Sequence, residues 1–248
     1  MPIKVLIFSG YGLNCEEETK HAFHLAGAEV DIVHINDLIL KANLSEYQIL
    51  AFPGGFSFGD DTGSGKAYAN KIKNHLLDKV QSFAEQDKLI IGICNGFQIL
   101  TGIGLLPGAL TYNDSAQYID RWVDLKIENQ TSSPWLKDIS TLSLPIAHGE
   151  GKFISDDSVN IALKYTKGEI CNYASYTANP NGSEQDIAAI TNANGRILGT
   201  MPHPERAVYF TQLPHWTYQH EKLSRSQQEI PEFGPGLKIF QNAVEYFS

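Results

Sequence analysis

The sequence predicts an α/β protein: a doubly wound, mostly parallel sheet flanked by helices, with an added antiparallel hairpin region. Short apolar, β-rich runs at 3–8, 29–35, 49–52 and 89–93 alternate with helical patterns. That is the rhythm of parallel strands joined by crossover helices. Beyond Pro107 it gives way to short strand-like runs, the clearest at 122–127 and 187–201, and Asn194-Gly195 marks a tight hairpin between 187–191 and 196–201. The chain has 248 residues, 42% of them hydrophobic and 19% charged. A chain of that kind can bury a sizeable core in one unit, so residues 1–248 are expected to form a single domain.

In order, the run 3–8 reads as the first strand, and the glycine-containing loop after it feeds an amphipathic helix ending near Gly27. Residues 29–35 and 49–52 are the next strands, and 68–86 is predicted to be one long helix. Two glycine-rich stretches resemble nucleotide loops and fail on detail. In GDDTGSGKAYA, Asp60 stands where a phosphate loop needs glycine and Ala67 where it needs Ser or Thr; in GIGLLP, Pro107 replaces the third glycine of a dinucleotide motif.

Charge and cysteine usage narrow the function. A net charge of −9, a pI near 5.3 and no basic run exclude a nucleic-acid footprint and point to an acidic enzyme. Cysteines at 15, 94 and 171 cannot all pair and lack metal-type spacing, which suits a reducing, cytoplasmic compartment. Neither a leader nor a membrane span is evident, so the Asn43, Asn113, Asn129 and Asn181 sequons read as chance matches.

The stretch 89–102, LIIGICNGFQILTG, organises the chemistry. An apolar strand stops at Cys94 and a helical pattern begins immediately after it, while Gly92 and Gly96 relieve the crowding of a sharp strand-to-helix turn. The free N–H groups and dipole of the helix favour an anion there, which is expected to draw the thiol below its free pKa of about 8.5. Cys15 and Cys171 lack that setting and are read as structural. Gly54 and Gly55, at the end of the 49–52 strand, make either a simple tight turn or an oxyanion hole in which Gly55 and Asn95 N–H groups converge beside the sulfur. Both loops are expected at the carboxyl edge of the sheet, where such folds bind ligands.

The hairpin delivers MPHPER at 201–206. Prolines on both sides of His203 favour an extended backbone, and the i, i+2 spacing puts His203 and Glu205 on one side of it. They form a base with its orienting carboxylate, the partner that a nucleophilic cysteine needs. The other histidines, His21, His24, His34, His75, His215 and His220, read as surface or satisfied core residues.

GICNGFQ at 92–98, PGGFSFGDD at 53–61 and PHPER at 202–206 together resemble the triad-type (class I) glutamine amidotransferases. More narrowly, NCEEET, RWVDLKIEN, PIAHGEGKF and NGRILGTMPHPERA resemble the family of glutaminase subunits of phosphoribosylformylglycinamidine synthase. The resemblance reaches from residue 1 to about 207 and departs at TGSGKAYA and in the long tail. It implies hydrolysis of glutamine to glutamate, with ammonia passed to a synthetase subunit that uses ATP and Mg²⁺ to convert formylglycinamide ribonucleotide to the amidine in purine synthesis. A small third subunit is a further candidate partner. No cofactor or metal is implied in this chain. Residue by residue, the resemblance makes Cys94 the nucleophile, His203 the general acid/base and Glu205 its orienter, with Gln98 framing the pocket or serving as an ordinary helix-surface residue. HGEG at 148–151 is a turn over the site or a plain glycine loop. Two other readings stay open: a cysteine hydrolase or another amidotransferase subunit on the same elbow, and a non-catalytic docking or sensing subunit. Finally, 208–236 is a candidate docking tail, its aromatics Phe210, Trp216, Tyr218 and Phe233 showing no sustained periodicity.

Overall fold

The computed structural model describes residues 2–41, 43–60, 63–128, 133–155 and 159–248. Asp61, at the end of PGGFSFGDD, and the Asn129 sequon lie outside the described residues. In chain order the strands are β1 (Lys4–Ser9), β2 (Glu29–His34), β3 (Ile49–Phe52), β4 (Leu89–Ile93), β5 (Ala109–Thr111), β6 (Ile119–Ile127), β7 (Thr141–His148), β8 (Lys152–Ile154), β9 (Asn160–Thr166), β10 (Ile187–Thr191) and β11 (Ile197–Thr200). The α-helices are α1 (Glu16–Leu25), α2 (Ile35–Lys41), α3 (Lys66–His75), α4 (Leu77–Glu85), α5 (Asn95–Gly102), α6 (Glu169–Ala174), α7 (Trp216–Arg225) and α8 (Leu237–Glu245).

Nine strands form one sheet in the order β2-β1-β3-β4-β11-β10-β9-β6-β7, and β5 and β8 make a separate antiparallel pair. The half from β2 to β11 is parallel, and the half from β11 to β7 is antiparallel. The composition of each half follows from its burial. β3 and β4 are buried at every position, which requires the unbroken apolar runs ILAF and LIIGI of a sheet covered on both faces. β7 alternates instead, with Leu142, Leu144 and Ile146 buried and Thr141, Ser143 and Pro145 less so. It is an edge strand, where the missing N–H of Pro145 is tolerated. Gly195 of the 10–11 hairpin has φ 73°, the left-handed conformation that its turn demands.

The predicted helix over 68–86 is two helices, α3 and α4, broken at Leu76, where φ is −134°. Tyr68, Ile72, Leu76, Val80 and Phe83 are all buried and keep helical spacing through the break, so periodicity alone cannot reveal it. Sequence also fails at the tail: Trp216–Arg225 is helical with no buried residue, so it lacks the apolar stripe that identifies a surface helix. The base of the tail is closed by main-chain bonds, Phe210 N–H to Glu232 O (3.0 Å) and Gly234 N–H to Val208 O (2.8 Å). α8 then packs on α1, Phe240 meeting Phe23 edge-on at 4.9 Å between ring centroids. Burying each such ring stabilises by about 1.5–3 kcal/mol. No helix among the described residues is long and apolar enough to cross a membrane.

α5 runs back against β3 at a glycine. A Cβ on Gly96 would stand 1.8 Å from the Phe52 carbonyl oxygen and 2.6 Å from its carbon, main-chain atoms that cannot step aside. Gly96→Ala is therefore expected to destabilise the protein by about 1–3 kcal/mol or more, the range of overpacking, read as a fall in thermal midpoint. A midpoint equal to wild type would show that the helix can lift off the strand without cost.

Candidate active site

Cys94 occupies the junction of β4 and α5 with φ 50° and ψ −105°, a sparsely populated conformation for a residue with a side chain. Its N–H donates to the Thr200 carbonyl (2.7 Å), and its carbonyl accepts from Phe97 and Gln98 as α5 begins. The thiol is 5% exposed and donates to the Ala147 carbonyl at 3.7 Å. The sulfur thus sits at the carboxyl edge of the parallel strands, under the loop that leaves β7.

His203 and Glu205 meet as the spacing predicts, though by a different backbone. His203 is extended (φ −101°, ψ 92°), but Pro204–Arg206 forms a 3₁₀ turn in place of the extended run expected from the flanking prolines. The proline at 204 sits at the first helical position, where its missing N–H costs nothing. The His203 Nδ1–H donates to Glu205 Oε1 at 2.5 Å, with the side chains 2% and 0% exposed. Burial alone would lower the His203 pKa. The opposing charges of Glu205 and Cys94 outweigh it and hold the imidazole well above its ordinary 6.5. Nδ1 is spent on Glu205, and Nε2 has no hydrogen-bond partner, so Nε2 is the nitrogen left for proton transfer. The His203 N–H donates to Pro145 O at 2.8 Å, which ties the base to β7.

Gly55 and Asn95 follow adjacent parallel strands, with Phe52 opposite Gly92 in register. Gly55 (φ 151°) faces Leu13 in an antiparallel bridge flanked by Asn14 N–H to Gly54 O (3.2 Å) and Phe56 N–H to Gly12 O (2.9 Å). In such a non-hydrogen-bonded pair the Gly55 N–H points away from the Leu13 segment. Asn95 starts α5, where backbone N–H groups have no intrahelical acceptor. Its side chain is committed to structure: Oδ1 accepts from Ser57 N–H (3.2 Å) and Nδ2 donates to Gln98 Oε1 (2.8 Å). Gln98 Nε2 in turn donates to the Glu150 carbonyl (2.7 Å). Gln98 is therefore a tie between the elbow helix and the HGEG loop, and no free helix-surface residue.

The HGEG loop does close over the site. Besides Ala147 on Cys94 and Glu150 on Gln98, Glu150 Oε2 accepts from Ser64 N–H at 3.2 Å. His148 anchors it: Nδ1–H donates to Asn113 Oδ1 (3.1 Å), and Nε2 faces Asn181 Nδ2 (3.5 Å). Burial, with a smaller contribution from the His203 charge, lowers its pKa to about 4. Asn113 and Asn181 also bind the backbone of Gly151. Sequence reasoning missed both asparagines, because nothing local separates them from loop residues.

The structure corrects the reading of Cys15. Cys171 is set apart as expected, its thiol on the Thr166 carbonyl (3.6 Å), but Cys15 packs against the catalytic pair. Ligating atoms of Cys15, His203 and Glu205 all lie within 4.8 Å of one another, although Cys15 is far from the other two in sequence. Burial pushes the Cys15 thiol up, Glu205 adding to the rise and the positive charges of His203 and Arg206 opposing it. The donor set does not suit a metal: Nδ1 of His203 is already bonded to Glu205 at 2.5 Å, and the Arg206 cation lies 3.0 Å from the sulfur.

Comparison with known proteins agrees with this geometry. Residues 2–247 match the model of a family described as the CobB/CobQ-like glutamine amidotransferase domain. The chain is 49% identical, over 99% of its length and 98% of the relative's, to phosphoribosylformylglycinamidine synthase subunit PurQ of Methanococcus maripaludis strain C5. It is 43% identical to the protein of the same name from Dehalococcoides mccartyi, over 98% and 97% of the two chains. A chain in the structure of PurLQS from Thermotoga maritima superposes over 100% of both chains with a TM-score of 0.78 and 33% identity. At 13% identity, a putative GMP synthase subunit from Thermoplasma acidophilum (TM-score 0.62, 99% and 94% covered) shares the fold.

The buried His148 and His203 act on stability in opposite directions. The pKa of His148 falls from 6.5 to about 4 on folding, so its contribution is present above pH 6.5 and is lost as pH falls towards 4. That shift is worth up to about 3 kcal/mol. The His203 pKa is raised above 6.5, so its contribution is complete below pH 6.5 and is lost as pH rises through the raised value. Thermal midpoints across pH should show the acid loss disappearing in His148→Gln. The stability gap between wild type and Glu205→Gln should narrow with rising pH. A gap that widened with pH would reverse the sign assigned to His203.

Proposed function

The chain belongs to the CobB/CobQ-like glutamine amidotransferase family, and from that premise we propose that it is the glutaminase subunit of a phosphoribosylformylglycinamidine synthase. In this role it hydrolyses glutamine to glutamate and supplies ammonia to a synthetase subunit that converts formylglycinamide ribonucleotide to formylglycinamidine ribonucleotide in purine biosynthesis. The observation that carries the reading is the buried His203–Glu205 pair, delivered by β11 beside the Cys94 elbow on β4, in a chain 49% identical end to end to a PurQ subunit.

The chemistry follows from these positions. Cys94 gives its proton to His203 Nε2, and the sulfur attacks the side-chain carbonyl carbon of glutamine. The carbonyl oxygen becomes an oxyanion, stabilised by the N–H groups of Gly55 and Asn95; each such donor is typically worth about 2.7–4 kcal/mol. The imidazolium, oriented by Glu205, protonates the departing nitrogen, and ammonia leaves a γ-glutamyl thioester on Cys94. Water, deprotonated by His203, then releases glutamate and restores the thiol. The burial of Cys94 beneath the 147–151 loop suits a small amino acid better than the open cleft a peptidase needs. These steps draw on no cofactor or metal in this chain, and ATP and Mg²⁺ belong to the synthetase half-reaction. Three free cysteines fit a cytoplasmic setting.

The proposal extends to the tail. α7 has no buried residue; Tyr218 is 58% exposed and Phe233 exposed, Trp216 is half-buried, and Phe210 is buried within this chain, so the part of the tail we assign to the synthetase or to a small third subunit is α7 and Phe233, not Phe210. Trp216→Ala is expected to weaken association with the synthetase and leave the melting temperature of this subunit unchanged. A large fall in melting temperature with unaltered binding would assign the tail to the core.

Cys94→Ala should abolish glutamine-dependent amidine formation in the complex while synthesis from free ammonium continues, and an electrophilic glutamine analogue should add its mass at Cys94 alone. Mass found on Cys15 or Cys171 would defeat the assignment. Glu205→Gln should cost less than His203→Ala, which removes a proton-transfer group worth about 10²–10⁴-fold.

A further inference from the structure

Arg206 follows Glu205 in sequence, yet its guanidinium does not pair closely with that carboxylate. Its Nε is 4.0 Å from Glu205 Oε1 and 3.4 Å from Glu18 Oε1, and its Nη2 donates to Cys15 Sγ at 3.0 Å. An unrestrained guanidinium beside a buried carboxylate would form the bidentate pair that arginine favours. That would compete with His203 for Glu205 Oε1, which His203 Nδ1 holds at 2.5 Å.

The sulfur that restrains Arg206 is itself fixed. The Cys15 N–H donates to Gly54 O (3.2 Å), and its carbonyl accepts from Thr19 Oγ1 (2.6 Å). A Cβ placed on Gly54 would lie 3.0 Å from Cys15 Sγ and 2.7 Å from His203 Cε1. Sulfur and imidazole therefore pack side by side against the glycine loop. Glu205 Oε2 is buried with no hydrogen-bond partner, so a guanidinium released from Cys15 has an acceptor waiting.

We propose that Cys15 is a positioning residue for the glutaminase reaction: it accepts the Arg206 guanidinium and so keeps that cation off the Glu205 carboxylate that orients His203. The inference rests on the glutaminase reading above. The groups acting on His203 are Glu205, Cys94 and Cys15; His148 and Tyr118 also feel its charge. Arg206 and Glu18 lie beyond Glu205.

The test uses the full complex, with glutamine and then ammonium as nitrogen source, for Cys15→Ala, Cys15→Ser and the double variant Cys15→Ala/Arg206→Gln. Cys15→Ala is expected to lower kcat with glutamine by about tenfold or more, the scale of a misplaced catalytic group. KM should hold, ammonium-dependent synthesis should continue, and the alkaline limb of the pH profile should move to lower pH as the imidazolium loses support. Cys15→Ser keeps an acceptor and should recover most of the rate. So should the double variant, which no longer has a cation to seat on Glu205. Unchanged kcat and pH profile in Cys15→Ala would overturn the proposal. So would a double variant no faster than Cys15→Ala, or a rate in wild type that depends on added Zn²⁺ and loses that dependence in Cys15→Ala. A wild-type complex that uses ammonium but releases no glutamate from glutamine would instead sink the glutaminase reading.

Discussion

Cys94 has φ 50° and ψ −105°, and a side-chain-bearing residue held in such a region costs on the order of 1–3 kcal/mol, persisting only where the surroundings over-determine it. Three glycines supply that determination. Gly96 lets α5 touch the Phe52 carbonyl of β3; Gly92 lets the end of β4 pass beneath the Gly96 carbonyl; and Gly199 of β11 leaves room for the Phe97 ring, 2.2 Å from where its Cβ would be. With Thr200 O accepting the Cys94 N–H at 2.7 Å, strands on both sides clamp the corner. The strain is what lifts the sulfur clear of the sheet and aims the first N–H groups of α5 at the same space.

The same clamp sets the distance between nucleophile and base. β11 runs parallel to β4 with Thr200 opposite Ile93, so Met201 leaves the sheet abreast of Cys94 and His203 follows two residues later. Strand register thus fixes the reach, and the 3₁₀ turn at Pro204–Arg206 folds Glu205 back onto Nδ1. The pair is assembled by backbone before any side chain needs to move.

What sequence discloses here is whatever its physics makes local. The parallel strands announce themselves as unbroken apolar runs because both faces are buried; the hairpin does so through Asn194-Gly195; Cys94 and His203–Glu205 do so through flanking glycines and fixed spacing. Leu76 hides a helix break because the buried stripe continues across it. Pro145 disguises β7, whose alternation is otherwise clear, since proline argues against a strand unless the strand is known to lie at an edge. Cys15, Arg206, Asn113 and Asn181 are illegible for a different reason. Each acquires its role from residues 30 or more positions away, Cys15 from Arg206 at a separation of 191, Asn113 from His148 at 35 and Asn181 from Gly151 at 30, and no short window on the chain contains both partners.

β7 joins these distant pieces into one device. From a single edge strand come Pro145, whose carbonyl holds the His203 N–H at 2.8 Å, Ala147, whose carbonyl receives the Cys94 thiol at 3.7 Å, and His148, which fixes the loop over the site through Asn113. Its first residues, Thr141 to Ser143, line a groove with Phe210, Leu213 and Phe233 of the tail. A strand is stiff along its length, and interiors packed this closely transmit displacement rather than absorb it. The antiparallel half of the sheet thus presents, on one edge strand, the carbonyls that hold both Cys94 and His203.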